Sequence, residues 1–344
     1  MSFAALSPSY EGRLAQSSHH DRRIHPGSGR RRGPDKPKGR QVEPAALAEI
    51  QALLGGHERR RDLLIEHLHL LQDRYGCLHA RHLVALTEEM RLPLAEVYEV
   101  ASFYAHFDIV MDDEAPPAPI TVRVCDSLSC ALAGGERLLD ELRERLGDGV
   151  RVVRAPCMGG CDKAPAVAIG HALHEHATAD SVAAAVTAGE AHPHVPAYPG
   201  LDRYRAEGGY TLLEACRSGG RTADQIVEAL EHSGLRGLGG AGFPTGRKWR
   251  FVRQEAKPRL LAVNADEGEP GTFKDRYFLE TDPHRFLEGM LIAAWAIEAS
   301  DTYIYLRDEY PQCREVLAQE IARIEAAGLA KHTRLHLRRV AGAY

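Results

Sequence analysis

The chain has 344 residues, 44% of them hydrophobic and 26% charged, and it carries a formal net charge of −5. This length allows two or three domains with their own cores, and the composition is typical of a globular protein. The negative charge argues against wholesale binding of nucleic acid, and no apolar run approaches the length of a membrane span.

The first 40 residues differ in composition from the rest of the chain. They contain nine arginines and lysines against three acidic residues, with few apolar side chains. Such a segment cannot bury enough apolar surface to offset the entropy lost on ordering, so we predict a disordered basic tail over residues 1–42. Polyanion binding is the alternative role for this tail. Because the apolar stretch of a signal peptide is absent, we expect a cytoplasmic protein.

The next region, residues 43–112, is predicted to be a helical bundle. Leucines recur at helical spacing over Leu63–Leu71, and further helices are expected over His79–Met90 and Leu94–Phe107. Prolines and acidic residues over 112–119 then predict a linker.

Residues 113–190 predict a small α/β domain. Its expected elements are a strand, a helix, two strands and a closing helix: Ile120–Val124, Glu136–Leu146, Val150–Arg154, Ala166–Ile169 and Ala179–Ala188. The first two strands each lead into a pair of cysteines. Both pairs are therefore expected in loops at strand ends, as a shared site requires.

The two cysteine pairs are Cys125-x4-Cys130 and Cys157-x3-Cys161. Four thiolates from two loops can hold a [2Fe–2S] cluster. A structural zinc site is the main alternative, although zinc knuckles usually have a two-residue gap in at least one pair. Disulfides or unliganded thiols are a third possibility. Disulfides are disfavoured because the sequence shows no export signal.

A second linker is predicted over residues 191–200, which contain three prolines. Residues 201–344 then alternate helices and strands, which predicts a further α/β domain. The expected helices are Thr222–His232, one starting at Pro283, and Pro311–Ala327, and the expected strands are Arg259–Val263, Thr302–Leu306 and Thr333–Val340.

Two loops of this last region carry candidate binding residues. A glycine-dense loop spans Gly234–Gly246 and is followed by Lys248, and an acidic loop spans Asn264–Arg276. Backbone N–H groups of a glycine loop can cradle phosphates, while amide and carboxylate side chains bind hydroxyl groups. The glycine loop follows a helix and matches neither the dinucleotide fingerprint nor the Walker A pattern. A tight helix–strand connection beside a solvated acidic loop is therefore the alternative.

The motifs resemble two known families. Residues 233–249 and 264–276 resemble the FMN- and NADH-binding subunit of respiratory complex I, of NAD-reducing hydrogenases and of NAD-dependent molybdenum formate dehydrogenases. The four cysteines, preceded by Val100-Ala-Ser-Phe-Tyr104, resemble the thioredoxin-like [2Fe–2S] subunit of the same enzymes. The chain therefore looks like a fusion of a helical bundle, a thioredoxin-like [2Fe–2S] domain and a Rossmann-like α/β FMN-binding domain.

The resemblance implies roles for individual residues. Asn264, Asp266 and Glu267 would bind FMN, and Phe243 and Phe251 would stack on the adenine of NADH. Four glycines and a lysine would line the cofactor pocket: Gly237, Gly239, Gly240, Gly242 and Lys248. The expected cofactors are a [2Fe–2S] cluster on the four cysteines, FMN and NAD(H).

The implied function is electron transfer between NAD(H), FMN and iron–sulfur clusters, in an NAD-dependent formate dehydrogenase or an NADH dehydrogenase. Leu238, where complex I commonly has arginine, and the run Glu267–Arg276 favour the formate dehydrogenase branch. The expected partners are other subunits of a redox complex, such as a molybdenum formate dehydrogenase, without nucleic acid or direct membrane insertion.

In the resembling family the chain continues beyond the position of Tyr344. The continuation contains a loop that completes the FMN and NADH sites and a four-cysteine segment. We therefore expect an incomplete, C-terminally truncated flavin domain. This expectation supports an alternative function, a non-catalytic [2Fe–2S] electron carrier or assembly subunit.

Overall fold

The computed structural model describes residues 39–238 and 240–342. The predicted tail over residues 1–42 lies almost entirely outside the described residues, as does the candidate Gly239. From Val42 onward the chain forms one compact unit. In the described part of the chain, no helix is both long enough and apolar enough to cross a membrane.

The first region is helical, as predicted. Its helices are α1 (Pro44–Leu54), α2 (Leu64–Tyr75), α3 (Ala80–Met90) and α4 (Leu94–Phe103). Leucines of α2 and α3, including Leu68, Leu71 and Leu86, form its buried core. The last helix ends at Phe103 instead of Phe107, because the chain turns there to bring β2 (Ile109–Val110) beside β1 (Leu78–His79) as a parallel pair.

The second region is a four-stranded sheet with helices packed against it. Its elements are β3 (Ile120–Cys125), α5 (Leu128–Leu132), α6 (Gly135–Leu146), β4 (Val150–Ala155), β5 (Val167–Ile169), β6 (Ala172–His174) and α7 (Ala179–Ala188). The strand order is β4-β3-β5-β6, with β3 and β4 parallel and the other pairs antiparallel. The sequence did not predict α5 and β6, since five and three residues are too short for a periodic pattern.

The third region contains a parallel sheet in the order β7-β8-β9. Its elements are α8 (Leu201–Ala206), α9 (Thr211–Arg217), α10 (Ala223–His232), α11 (Thr245–Gln254), β7 (Arg259–Ala265), α12 (Lys274–Thr281), α13 (Pro283–Ile297), β8 (Ala299–Arg307), α14 (Pro311–Ala326) and β9 (Arg334–Val340). The helices α8, α9, α11 and α12 were not predicted. The last two begin at the ends of the candidate loops, at Thr245 and Lys274, where glycines and charges obscure the helical period.

The parallel sheet has two different faces. Side chains of one face, such as Leu261, Val263 and Ile304, pack into the largest hydrophobic core together with α13 and α14. The opposite face carries Asn264 and Arg338, and the Arg338 guanidinium pairs with Asp62 of the helical region at 3.2 Å. The sheet is thus held between its own helices and the first region.

The second and third regions meet closely at Gly159, between the second pair of cysteines. Gly159 has a φ of +74°, and a β-carbon at this position would lie 2.2 Å from the ring of the fully buried Tyr310. Glycine is required here both by the backbone conformation and by the close approach of the ring.

We expect Gly159→Ala to destabilise the protein by about 2–5 kcal/mol, since the left-handed backbone and the overpacked ring both oppose a methyl group. The matched control is Gly189→Ala. Gly189 has a φ of +70° but open space where a β-carbon would lie, so this change should cost only about 1–2 kcal/mol. Chemical denaturation of both variants measures the difference, and equal losses of stability would contradict the proposed packing.

Candidate functional site

The four cysteines come together because β3 and β4 are parallel and adjacent. Cys125 is the last residue of β3, and Cys130 lies in the short α5 that follows it. Cys157 lies two residues after the end of β4, and Cys161 begins the short 3-10 turn Cys161–Lys163. Parallel strands end at the same edge of a sheet, so both loops project from one edge.

The sulfur atoms form two linked pairs. The Sγ atoms of Cys157 and Cys161 lie 3.3 Å apart, and the Cys125 thiol interacts with both Cys130 and Cys157. Four thiolates that two loops supply in pairs can hold the two irons of a [2Fe–2S] cluster, so the donor set fits this group.

Backbone N–H groups point at two of the sulfurs. Gly159 N–H lies 3.5 Å from Cys157 Sγ, and Gly271 N–H of the third region lies 3.2 Å from Cys161 Sγ. Such donors stabilise the negative charge of cluster thiolates and tune the reduction potential. The contact from Gly271 makes the acidic loop part of the surroundings of the cluster.

The pKa values of two of the cysteine thiols are raised above their ordinary value. Burial raises the pKa of the Cys161 thiol, and contact with Cys125, followed by burial, raises the pKa of Cys157. Both groups are protonated at neutral pH in the absence of metal. Cluster binding must therefore displace protons from these sulfurs.

Two buried arginines connect the second cysteine loop to the third region. The Arg307 guanidinium, 1% exposed, donates to the Cys157 carbonyl at 2.6 Å and to the Glu267 carbonyl. Arg276 donates from Nε to the Gly159 carbonyl at 3.1 Å and pairs with Asp162. The cysteine loop and the acidic loop are thereby held as one assembly.

The carboxylate of Glu267 accepts hydrogen bonds from other residues of this protein. It accepts from the Asp275 N–H at the start of α12, at 3.1 Å, and from the Tyr310 hydroxyl at 3.0 Å. Lys274 lies 3.5 Å away, and the Glu267 side chain is buried. The structure thus places Glu267 as the residue that shapes the acidic loop, and its predicted contact with a ligand remains a prediction.

Asp266 and Asn264 are placed differently. The Oδ1 atom of Asp266 is buried without a hydrogen-bond partner, and burial raises the pKa of this carboxyl, opposed by the charge of Arg307. Asn264 accepts the Asp266 N–H at 2.9 Å and borders a cleft of about 380 Å³ between the sheet and α2. A buried carboxylate oxygen without a partner fits a ligand that offers hydroxyl donors, as the ribityl chain of FMN does.

The glycine loop closes as a narrow turn. Gly237 N–H donates to the Phe243 carbonyl at 2.9 Å, while Gly240 and Gly242 have φ values of +94° and +59° with open space on their outer side. The loop leads into α11, which is followed by β7. Because α11 precedes β7 through a short connection, its N-terminus lies towards the carboxyl end of β7, where α/β domains bind ligands.

The candidate side chains of this loop are exposed. The Phe243 and Phe251 rings are 39% and 49% exposed, with centroids 6.2 Å apart. Lys248 is exposed on the first turn of α11. Two neighbouring exposed rings beside a glycine loop are suited to stacking on a planar ligand.

The sequence did not single out Arg276, Arg307 and Tyr310 as site residues. Along the chain, Arg276 only ends the acidic loop, and Arg307 and Tyr310 follow a predicted strand with no special pattern. The remaining cysteines of the chain, Cys77, Cys216 and Cys313, are buried away from the two pairs.

Two family models match the regions that carry the two halves of this site. Residues 50–190 match the thioredoxin-like [2Fe-2S] ferredoxin family. Residues 230–344 match the Nuo51 FMN-binding domain family.

Individual relatives match one half or both. The chain is 47% identical over 153 residues to an NADH-quinone oxidoreductase subunit of Rhizobium meliloti, covering 42% of this chain and 36% of that protein. It is 29% identical over 317 residues to the NAD-reducing hydrogenase HoxS subunit alpha of Cupriavidus necator, covering 82% of this chain and 52% of that protein. The chain thus spans about a third to a half of the length of these relatives.

A solved structure shows a similar fold over most of the chain. An NAD+-reducing [NiFe]-hydrogenase in the H2-reduced state matches with a TM-score of 0.67 and 30% identity, over 83% of this chain and 52% of that chain. Most of this chain therefore has a structural counterpart within one solved chain.

We expect Cys161→Ala to abolish the EPR signal of a reduced [2Fe–2S] cluster and most of the bound iron, since one thiolate ligand is lost. Cys216→Ala, which removes a buried thiol elsewhere, is the matched control and should retain both. Iron analysis and EPR after dithionite reduction measure the outcome. Equal cluster content in the two variants would disprove the ligand assignment.

Proposed function

The chain joins a thioredoxin-like [2Fe–2S] ferredoxin domain to a Nuo51-type FMN-binding domain, and from this pairing we propose that it is an electron-transfer module of an NAD(H)-dependent oxidoreductase. The observation that carries the proposal is the contact between the cysteine loop and the acidic loop. Gly271 N–H approaches Cys161 Sγ at 3.2 Å, and Arg307 binds carbonyls of both loops. Cofactors held by these loops would lie close enough to exchange electrons.

The glycine and acidic loops supply the groups that would bind the flavin. Backbone N–H groups at Gly240 and Gly242 and the charge of Lys248 would hold the phosphate. Asp266 would accept hydrogen bonds from the ribityl hydroxyls, oriented through its backbone by Asn264. When bound, FMN accepts a hydride from NADH and releases electrons one at a time.

The exposed ring pair Phe243 and Phe251 would stack on the adenine of NADH. This would place the nicotinamide near the flavin, where correct orientation contributes much of the rate of hydride transfer. Arg247 lies over the Phe251 ring at 6.0 Å and would add positive charge beside the phosphates of the dinucleotide.

We also propose that the enzyme to which this chain belongs is an NAD-dependent formate dehydrogenase. Leu238 and the run Glu267–Arg276 support a formate dehydrogenase, in which electrons would flow from formate, oxidised on a molybdenum subunit, to NAD+. Relatives named as subunits of NADH-quinone oxidoreductase and of an NAD-reducing hydrogenase support multisubunit partners. Cytoplasmic location remains part of this proposal.

A second function is a [2Fe–2S] electron carrier or assembly subunit without flavin chemistry. It is supported by the match of residues 50–190 to the thioredoxin-like [2Fe-2S] ferredoxin family, which needs no flavin to hold its cluster. The two functions predict the same cluster spectrum. They differ in retained flavin and in NADH oxidation.

We expect Asp266→Ala and Lys248→Ala each to weaken FMN binding about tenfold or more, because each removes a charge-assisted contact worth about 1.5–3 kcal/mol. Titration of FMN by fluorescence quenching measures this. The control is Lys257→Ala, which removes an exposed lysine paired with Glu298 at 2.7 Å and should leave FMN affinity unchanged. Unchanged affinity in all three variants would remove these residues from the site.

We expect the protein loaded with FMN to oxidise NADH with an artificial electron acceptor, and Cys161→Ala to retain this activity. The acceptor can take electrons from the flavin, so the cluster is not needed for this assay. Steady-state kinetics with NADH measure the rate. An intact cluster signal without any NADH oxidation would favour the electron carrier instead.

A further inference from the structure

Two histidines and an aspartate meet in the interior, away from the cysteines. We name them the junction triad: His69 of α2, His106 between α4 and β2, and Asp308 directly after β8. Their potential ligand atoms all lie within 4.8 Å of one another, the only such group among the residues the structure describes. We propose that the junction triad binds a divalent transition-metal ion, a site separate from the [2Fe–2S] cluster.

The distances suit a shared ion. His106 Nδ1 lies 3.5 Å and His69 Nδ1 lies 4.0 Å from Asp308 Oδ2. An ion with bonds of about 2.0–2.2 Å to nitrogen and oxygen fits between donors at such separations. The two imidazole rings have their centroids 4.9 Å apart.

Three ring nitrogens of the triad histidines are buried without a hydrogen-bond partner. The side chain of His69 is fully buried, and neither of its ring nitrogens has a hydrogen-bond partner. His106 Nε2 is also buried without a partner. A buried polar atom without a partner is destabilising, and metal coordination at His69 Nδ1 would satisfy one of these three nitrogens.

The histidines are in the protonation state that a metal requires. Burial lowers the pKa of His69 well below its usual value and the pKa of His106 to about 4. Burial opposes ionisation of Asp308, but the charge of Arg339 and its hydrogen bond favour the ionised carboxylate, and the pKa of this carboxyl lies below its usual range. Two neutral imidazoles and one carboxylate therefore face each other at neutral pH, without competing protons.

The carboxylate is oriented by charges on its other side. Arg314 Nη1 at 3.1 Å and Arg339 Nε both bind Asp308 Oδ1, which leaves Oδ2 towards the histidines. The two guanidinium groups disfavour a cation. Asp73, which pairs with Arg339, offsets part of this charge. Outer hydrogen bonds of this kind fix ligating carboxylates in metal sites.

An adjoining cavity provides space for further ligands. A cavity of about 230 Å³ is bordered by His106 and Asp308 and extends to Arg123, Arg151 and His171. This volume holds several water molecules, and its lining includes polar side chains beside apolar ones. A water can therefore complete a four-coordinate site with three protein ligands.

Two nitrogens and one carboxylate oxygen favour zinc or a neighbouring first-row ion over calcium or magnesium, which prefer oxygen alone. The three ligands come from separate parts of the chain: two from the helical region and one from the flavin-type region. Metal binding would therefore tie these regions together. Its role in this proposal is structural and independent of electron transfer.

The test uses anaerobically purified protein with its cluster intact, equilibrated with Zn²⁺ and then freed of unbound metal. We expect about one zinc per chain in addition to about two irons. The zinc X-ray absorption spectrum should show nitrogen and oxygen neighbours without sulfur. Retention of no zinc by protein with full iron content would overturn the proposal, and so would sulfur in the zinc shell, because the metal would then sit on the cysteines.

The variant test compares His69→Gln/His106→Gln with His67→Gln. His67 is a buried histidine on the same helix that binds the Glu58 carbonyl at 2.9 Å and does not belong to the triad. We expect the double variant to lose zinc affinity by more than about 100-fold, since loss of the outer hydrogen bonds of a metal ligand alone costs about 10–100-fold. The control should bind as wild type. Wild-type affinity in the double variant would overturn the proposal. If the double variant does not fold, the zinc X-ray absorption spectrum of the wild-type protein tests the proposal instead.

Discussion

The arrangement of both cofactor loops depends on one buried guanidinium. Arg307 is the last residue of the central strand of the parallel sheet and donates to carbonyl groups on the loop of Cys157 and on the loop of Glu267. Glu309, at 3.2 Å, balances its charge. A buried arginine is stable only when its donors are satisfied and its charge is paired. Neither loop can shift alone without leaving this group unsatisfied, so the two loops hold a fixed relative position.

The contact between the cysteine loop and the acidic loop also links the electrostatics of the two proposed cofactor sites. Gly271 belongs to the acidic loop, yet its N–H approaches a cysteine sulfur at 3.2 Å. Donors to sulfur raise the reduction potential of an iron–sulfur cluster. A ligand that moves the acidic loop would therefore change the surroundings of the cluster. Tyr310 of the third region packs closely against Gly159 of the cysteine loop, and its ring leaves no room for a β-carbon. This packing restricts movement between the two parts.

Much of the local structure was predictable. The helices of the first region and the strands that lead into the cysteines follow hydrophobic periodicity and agree with the structure within a few residues. The helices α11 and α12 were missed because their sequences are dominated by charged residues and follow loops rich in glycine or acid. Their helical conformation depends on packing: Gly246 of α11 lies against α10, where a β-carbon would be 2.7 Å from the Val227 carbonyl.

The sequence by itself determined the chemical types of the site: two cysteine pairs at strand ends, a glycine loop with a lysine, and an acidic loop after a strand. Spacing along the chain defines these motifs, because ligands in one loop are neighbours in sequence. The tertiary structure alone decided that Asp266 keeps an unpartnered oxygen while the carboxylate of Glu267 binds α12 and Tyr310. It alone brought His69, His106 and Asp308 together. The physical reason is that burial and contact between residues far apart in the chain depend on packing, which no local pattern encodes.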